Sequence, residues 1–454
     1  MPSAAASSNP RPRVGSCSHS LWLPSPPPNT RCTSRGAHAE AAGANGGFVN
    51  PQPSFFGIAK VEVRGFRSAR DVSFSPGPVC ALVGEAQAGK SNLLAAIRAV
   101  LDPASAPLTA ADGAEGGDGQ ISIKISLAGG GEAAVEGPPP GHHAVTGRAG
   151  LPPILFLPAR ARSEAVLAEP SPQAEAARAL EIFRDALAQR PSTSTAQALS
   201  VLDALESCCS RGLGGLLLLI EEPELYLRPQ AQRYLYRLLR EFSTRGNQII
   251  YSTHSPAFLN VARLDELVFV ERRPGTGTRA LQPEPVTPDE DFRVLTEFDA
   301  ARSELFLART VVLVEGLTEK LVLPFVFAAL GHDVDREAIS IIECGGKPNL
   351  PLFAKICRSV GIPFLVVHDS DRRPSGKLVA AERALNALIA ATAGEERTIV
   401  LDPDFEAVAG LAGHSRKPER AWREFASRPA ARMPQPLLRV AEVAISLAVR
   451  QRPR

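Results

Sequence analysis

The chain has 454 residues, 44% hydrophobic and 22% charged, with a formal net charge of +2. That length allows two to three globular domains, and the near-neutral balance excludes a globally basic nucleic-acid binder, so any DNA contact needs a local patch or metal ions. No stretch is apolar for long enough to cross a membrane, and the seven cysteines form no CxxC pair or Cys/His cluster, which argues against a disulfide framework or structural zinc.

Residues 1–50 are rich in Ser, Pro, Ala and Arg, lack Lys and hold one acid, Glu40. Such a segment cannot bury a core and is expected to be disordered. Its acid-poor Ser/Arg composition reads as a transit peptide, with a plastid preferred to a mitochondrion. The alternative is an extension on a cytoplasmic bacterial protein. Regular structure is expected from Phe55. Ile58 to Val63 alternates as a strand, and Val79 to Val83 is a short buried one. A Gly-rich loop and a helix from Asn92 to Leu101 follow. Ile121 to Leu127 is strand-like, residues 172–189 are helical, and Leu216 to Ile220 and Gln248 to Ser252 are buried strands around a helix at 229–245. Residues 273–290, with four prolines and two glycines as breakers, read as a linker. A second series runs Val311–Val314 (strand), 319–330 (helix), Ile339–Glu343 (strand), 350–360 (helix), 363–367 (strand) and 378–391 (helix). Strands alternating with helices predict α/β domains with parallel sheets. The stretch 437–448 is amphipathic and carries no chemistry.

Three motifs build a nucleotide site. Gly84-Glu85-Ala86-Gln87-Ala88-Gly89-Lys90-Ser91, followed by Asn92, satisfies GxxxxGK[ST] between a buried strand and a helix. Loop N–H groups and the helix N-terminus cradle phosphates, Lys90 reaches the terminal ones and Ser91 ligates Mg²⁺. The strand ending Ile220 delivers Glu221-Glu222-Pro223-Glu224. Glu221 would act through the Mg²⁺ shell and Glu222 would polarise the attacking water. Ser252-Thr253-His254-Ser255-Pro256 closes the set, with His254 placed at a strand end to sense a γ-phosphate. This order resembles ABC-type ATPases of the RecF/SMC-like group. The Ile-Glu-Glu-Pro-Glu form is most like the OLD (overcoming lysogenisation defect) nucleases. Those ATPases carry a Ser-x-Gly signature used across a dimer; the corresponding Ser192-Thr-Ser-Thr-Ala-Gln197 has no glycine. The ATPase core is also short. ATP binding is thus better supported than fast hydrolysis.

The second series places Glu315 at a strand end and Glu319 four residues on, and ends a later strand with Asp369-Ser-Asp371. Parallel strands would bring these carboxylates to one sheet edge. Converging oxygens need cations and select Mg²⁺ or Mn²⁺, an arrangement suited to phosphodiester cleavage. The pattern, with Cys344-Gly-Gly-Lys347, resembles the Toprim domain. Leu401-Asp402-Pro-Asp404-Phe-Glu406 and Arg416-Lys417-Pro-Glu-Arg-Ala421 look like downstream OLD motifs. By that resemblance Glu406, with Asp402 as alternate, completes a second metal site, and Lys417 stabilises charge on the scissile phosphate. Glu343 and His368 are expected as structural neighbours.

The resemblance implies a reduced P-loop ABC-type ATPase domain over 51–272, a linker over 273–305, a Rossmann-like Toprim domain over 306–430 and a tail from 431. It implies an ATP-binding, Mg²⁺- or Mn²⁺-dependent DNA endonuclease that forms a homodimer. Glu315, Asp369 and Asp371 would hold one metal, Glu319 and Glu406 the other. The alternative is a nucleotide-gated DNA-binding regulator without turnover. Toprim topoisomerase chemistry is disfavoured, because all four tyrosines (Tyr226, Tyr234, Tyr236 and Tyr251) lie in the ATPase half.

Overall fold

A computed structural model describes residues 57–449 apart from 115–116, 118, 139–145, 148–150, 160–165, 168–173, 189–192, 260–262, 274, 285–298, 300, 373–374, 376–377 and 412–416. The segment read as a transit peptide lies outside the described residues.

The first lobe opens with strands β1 (Ile58–Phe66), β2 (Ala69–Phe74) and β3 (Val79–Val83), then helix α1 (Lys90–Leu101). Strands β4 (Ile121–Leu127), β5 (Glu132–Gly137), β6 (Ile154–Leu157) and β7 (Val166–Leu167) follow. Next come α2 (Ala174–Ala188), α3 (Ser194–Ser210), β8 (Leu217–Glu221), α4 (Pro229–Ser243), β9 (Gln248–Thr253), the short α5 (Pro256–Leu259), β10 (Leu267–Arg273) and β11 (Gly277–Leu281). A seven-stranded sheet runs β11-β10-β3-β9-β8-β6-β7. Its five central strands are parallel and its two edges antiparallel. That order puts the ends of β3, β8 and β9 side by side, where the three nucleotide motifs sit.

The second lobe is a βα series: β12 (Thr310–Val314), α6 (Leu317–Ala329), β13 (Ile339–Glu343), α7 (Leu350–Ser359), β14 (Phe364–Asp369), α8 (Ala380–Ala393), β15 (Thr398–Leu401), α9 (Phe405–Ala409), α10 (Lys417–Ser427) and α11 (Gln435–Val449). Its sheet, β13-β12-β14-β15, is parallel throughout. The ends of β12 and β14 are therefore neighbours, and the motifs they carry meet.

Three findings extend the sequence reading. Beside the expected parallel sheets the first lobe has a second, antiparallel sheet, β2-β1-β4-β5. It packs with α1 on one face of the large sheet, burying Val61, Phe66, Ile97, Ile123 and Val268 in one cluster. The linker from residue 273 is shorter than expected, because 277–281 is strand β11. The glycines that suggested a linker make a hairpin turn instead: Gly275 and Gly277 have φ of +79° and +80°, a region that glycine enters without strain. The tail from 431 is not peripheral. Helix α11 buries Leu437, Val440, Ala441 and Ala444 in the second lobe's core, with Val312, Val314, Leu323 and Phe425.

The lobes also share a core. One buried cluster runs from Leu205, Leu239 and Tyr251 through Phe269 and Phe306 to Leu313, Phe353 and Phe364. The Phe269 and Phe306 rings stand 5.1 Å apart at the junction.

Candidate active site

The five residues of β3 are all buried, so the chain must leave the sheet abruptly at Gly84. A Cβ on Gly84 would stand 2.0 Å from the Val270 carbonyl oxygen, and one on Gly89 would stand 2.2 Å from Thr278 Oγ1. Only glycine fits at both, which explains the loop's spacing. Gly89 then starts α1. Lys90 turns its ammonium back over the loop, donating to the carbonyls of Gly84 and Glu85 at 2.9 Å each, and lies 2.9 Å from His254 Nε2. Burial lowers Lys90 to about 8. Glu85, Ala86, Gln87 and Ser91 are exposed, whereas Ala88 and Gly89 are buried. Asn92 is turned aside: its Nδ2 donates to Ser68 Oγ at 2.6 Å.

Strand β8 ends at Glu221, whose Oε2 accepts from the Ala159 N–H at 3.3 Å. The chain then reverses at Glu222, which has φ of 45°. That turn points Glu222 at His254, with Oε1 3.1 Å from Nε2, and tucks Glu224 beneath the end of β9. Glu224 Oε1 accepts from Thr253 Oγ1 at 2.5 Å and from the His254 N–H at 3.0 Å. Burial, then the nearby Glu224, pushes Glu222 up to about 8. Burial, then Lys90, lowers His254. Burial and Glu224 thus favour the protonated form of Glu222, and burial and Lys90 the neutral form of His254. Residues 193–197 of the stretch without the signature glycine mark the start of α3, where Thr193 Oγ1 accepts from the Ala196 N–H at 3.3 Å.

In the second lobe the sheet edge gathers acids, as its order requires. Glu315 follows β12 and accepts from the Asp369 N–H at 2.7 Å. Burial raises Glu315 to about 7, with Asp371 and Glu319 adding to it against Lys347. Asp369, at the end of β14, is raised to about 8, first by burial and then by Glu315, Glu319, Asp371 and Glu406. Glu319 is raised by burial and then by Glu406 and Glu343. The four other predicted ligands therefore all act on Asp369. Asp369 Oδ1 is buried with no hydrogen-bond partner, which leaves a carboxyl oxygen for a cation to satisfy. Among the described residues, no three acid, His or Cys side chains already stand in a ligating group. The Asp369 amide holds Glu315, and Lys347 holds Asp371.

Lys347 is the residue the sequence reading named without a role. It is 5% exposed and donates to the Asp369 carbonyl and to Asp371 Oδ2, both at 2.6 Å. Glu382 lies 3.5 Å from the same ammonium. Glu224 was likewise present in the motif without a role, because only the reversal at Glu222 reveals its place. Asp402, the alternate ligand, is drawn off by Ser370 Oγ at 2.5 Å and by Arg372 at 3.7 Å. Glu343 pairs with Arg302 at 3.2 Å, and His368 is buried beside Asp369 with Nδ1 2.8 Å from its carbonyl, so both are structural neighbours. Lys417 is the first residue of α10; its side chain lies outside the described residues.

Residues 306–371 match the TOPRIM domain of overcoming lysogenization defect protein-like chains. Residues 187–260 match an AAA domain of the AbiEii toxin, Type IV TA system class. The chain is 38% identical over 222 residues to an OLD nuclease of Thermus scotoductus, across 44% of this chain and 42% of that one. Over these segments the chain is similar to OLD nucleases. It is also 30% identical over 162 residues to the Old nuclease of Escherichia phage P2, across 34% of this chain and 28% of that one. The matches thus span less than half the length of these OLD relatives. Among solved structures, an SMC head domain from Thermotoga maritima aligns at 17% identity and a TM-score of 0.33, over 50% of this chain and 99% of its own.

Proposed function

We propose that the chain is a Mg²⁺- or Mn²⁺-dependent DNA endonuclease gated by ATP. The observation that carries this reading is Asp369. Its buried Oδ1 lacks a partner, and Glu315, Glu319, Asp371 and Glu406 all hold its proton more tightly. Acids buried together without cations are costly, and an all-oxygen set suits hard divalent ions. Glu315, Asp369 and Asp371 would hold one ion, Glu319 and Glu406 a second. Bound ions there supply Lewis-acid stabilisation of the attacking and leaving oxygens. Lys347 orients Asp371 and the strand end that carries Asp369. Lys417 would stabilise charge on the scissile phosphate.

In the other lobe, Gly84–Ser91 would take the phosphates of ATP, with Lys90 exchanging its carbonyl partners for phosphate oxygens. Glu221 would act through the Mg²⁺ shell. Glu222 would orient water and His254 would sense the terminal phosphate. The substrate would be DNA and the working unit a homodimer, as the resemblance to OLD nucleases implies.

A second reading is a nucleotide-gated DNA-binding regulator without turnover. Protonated Glu222 takes no proton from water, and the signature glycine is missing. One experiment separates the two. The purified chain is incubated with plasmid DNA and Mg²⁺ or Mn²⁺, with and without ATP, beside Asp369→Ala/Asp371→Ala. Nicking that the double variant loses supports the nuclease. Metal binding without cleavage under any condition supports the regulator.

A further inference from the structure

We propose that Arg302 is a positioning residue through which the nucleotide site sets the geometry of the acid cluster. The inference rests on the reading of that cluster as a divalent-metal site and of the phosphate loop as an ATP site.

Arg302 opens a 3₁₀ helix, Arg302–Leu307, at the junction of the lobes. On one side this helix packs against α5. Helix α5 begins at Pro256, just after His254. Its Phe258 and Leu259 share one buried cluster with Leu305 and Phe306. The Phe258 ring stands edge-on to Tyr251 of β9, with centroids 5.2 Å apart. A movement of His254 toward a terminal phosphate therefore reaches the 3₁₀ helix through packed side chains.

On the other side the same helix packs against β13. Arg302 Nε donates to the Glu343 carbonyl at 2.8 Å, and its Nη2 lies 3.2 Å from Glu343 Oε2. Glu343 Oε1 accepts from the Gly345 N–H at 2.9 Å. Arg302 thus fixes the start of the turn 344–347, and that turn holds the acids. The Gly346 N–H donates to the Glu315 carbonyl at 2.9 Å. Lys347 holds Asp371 and the Asp369 carbonyl. The charge of Glu343 also acts on Glu319. Every link from Arg302 to the proposed ligands is a hydrogen bond or an ion pair, the kind of support that orients the groups around a metal.

The 3₁₀ helix is suited to having two arrangements, which coupling between separate sites requires. It runs for six residues, beyond the usual run of about 3–4, because its tighter turn bonds less well than an α-helix. Two hydroxyls in and just after it, Ser303 Oγ and Thr310 Oγ1, are buried with no hydrogen-bond partner among the described residues. A buried hydroxyl without a partner is costly. A rearrangement that pairs either one offsets part of the cost of moving the helix.

The test begins with Mn²⁺ binding to the nucleotide-free full chain, by titration calorimetry. Asp369→Ala/Asp371→Ala marks the heat that belongs to the acid cluster. Arg302→Leu should weaken that binding at least ~10-fold, the scale on which a group behind a metal ligand acts. Arg302→Lys keeps the charge but loses the fork, and should fall between; it also keeps the test usable if the leucine variant does not fold. Hydrogen exchange then reads the coupling. At constant Mg²⁺, a non-hydrolysable ATP analogue should change the exchange of amides 344–347. Arg302→Leu should abolish that change while still binding fluorescent ATP. Unchanged Mn²⁺ affinity in Arg302→Leu overturns the proposal, and so does a nucleotide-dependent exchange that survives the substitution. A variant that only melts at lower temperature assigns Arg302 a structural role and overturns it too. A chain without acid-dependent Mn²⁺ heat fails at the metal reading, whereas one that binds ATP and Mn²⁺ with 344–347 unaffected by nucleotide fails here alone.

Discussion

Glu222 is an acid that the fold keeps in its protonated range, pushed up to about 8 by burial and Glu224. A carboxyl raised on folding contributes stability below its unfolded pKa, and that contribution is lost as pH rises through the folded value. Its unfolded value is 4.5. The nucleotide-free protein should therefore lose stability from this group between pH 4.5 and about 8. Glu222→Gln should flatten that decline, and thermal melts across the window check it; an unaltered slope refutes the assignment. Lys347 makes a different prediction. Truncating it to Ala strands the Asp371 carboxylate and the Asp369 carbonyl. The cost should be about 1–3 kcal/mol, read by urea unfolding in EDTA. Asp371 is 41% exposed at its side chain, which keeps the cost below that of a fully buried pair.

Elements that carry no catalytic residue still set the site. Hairpin β10–β11 reaches the phosphate loop through Thr278, which bonds Ala88 and Ser68. Thr278→Val removes both bonds at nearly constant volume. It should cost about 1–2 kcal/mol and weaken fluorescent-ATP binding, although residue 278 touches no proposed nucleotide residue's side chain. Unchanged ATP affinity would mean that the loop holds its shape unaided. Helix α11 is the parallel case in the second lobe. Leu437 is fully buried there, and Leu437→Ala should cost about 2–4 kcal/mol, measured by chemical denaturation. A surface tail would show almost no loss.

Across the whole molecule, the continuous core is the link between nucleotide and carboxylate sites. Phe306 is 5% exposed and packs on Phe269 from the other lobe. Calorimetry should show one unfolding transition, and Phe306→Ala should lower it as a unit, by about 3–4 kcal/mol. Two resolved transitions would contradict a shared core. The Arg309–Glu85 bridge also joins the lobes, at 2.9 Å, with side chains 36% and 49% exposed. An exposed pair of this kind is worth under ~1 kcal/mol. Its position is more telling than its strength, because it ties the phosphate loop to the residue just before β12.

Some of this was legible in the amino-acid order alone. Short apolar runs that end in Gly84, Glu221, His254, Glu315 or Asp369 identify strands and their edges, because a parallel sheet puts every strand's working residue at the same end. The glycine positions in the loop were readable for a related reason: a helix N-terminus that holds phosphate demands close backbone approach. What the order could not express is pairing between distant segments. Only the fold turns Glu224 under His254, gives Asp371 to Lys347 and draws Asp402 away to Ser370. It also converts the breaker-rich stretch near 277 from linker to edge strand and the mild amphipathicity of 437–448 into core. Local patterns report which residues can be buried or can bond. Partners far apart in sequence are chosen by packing, and packing exists only once the sheets have formed.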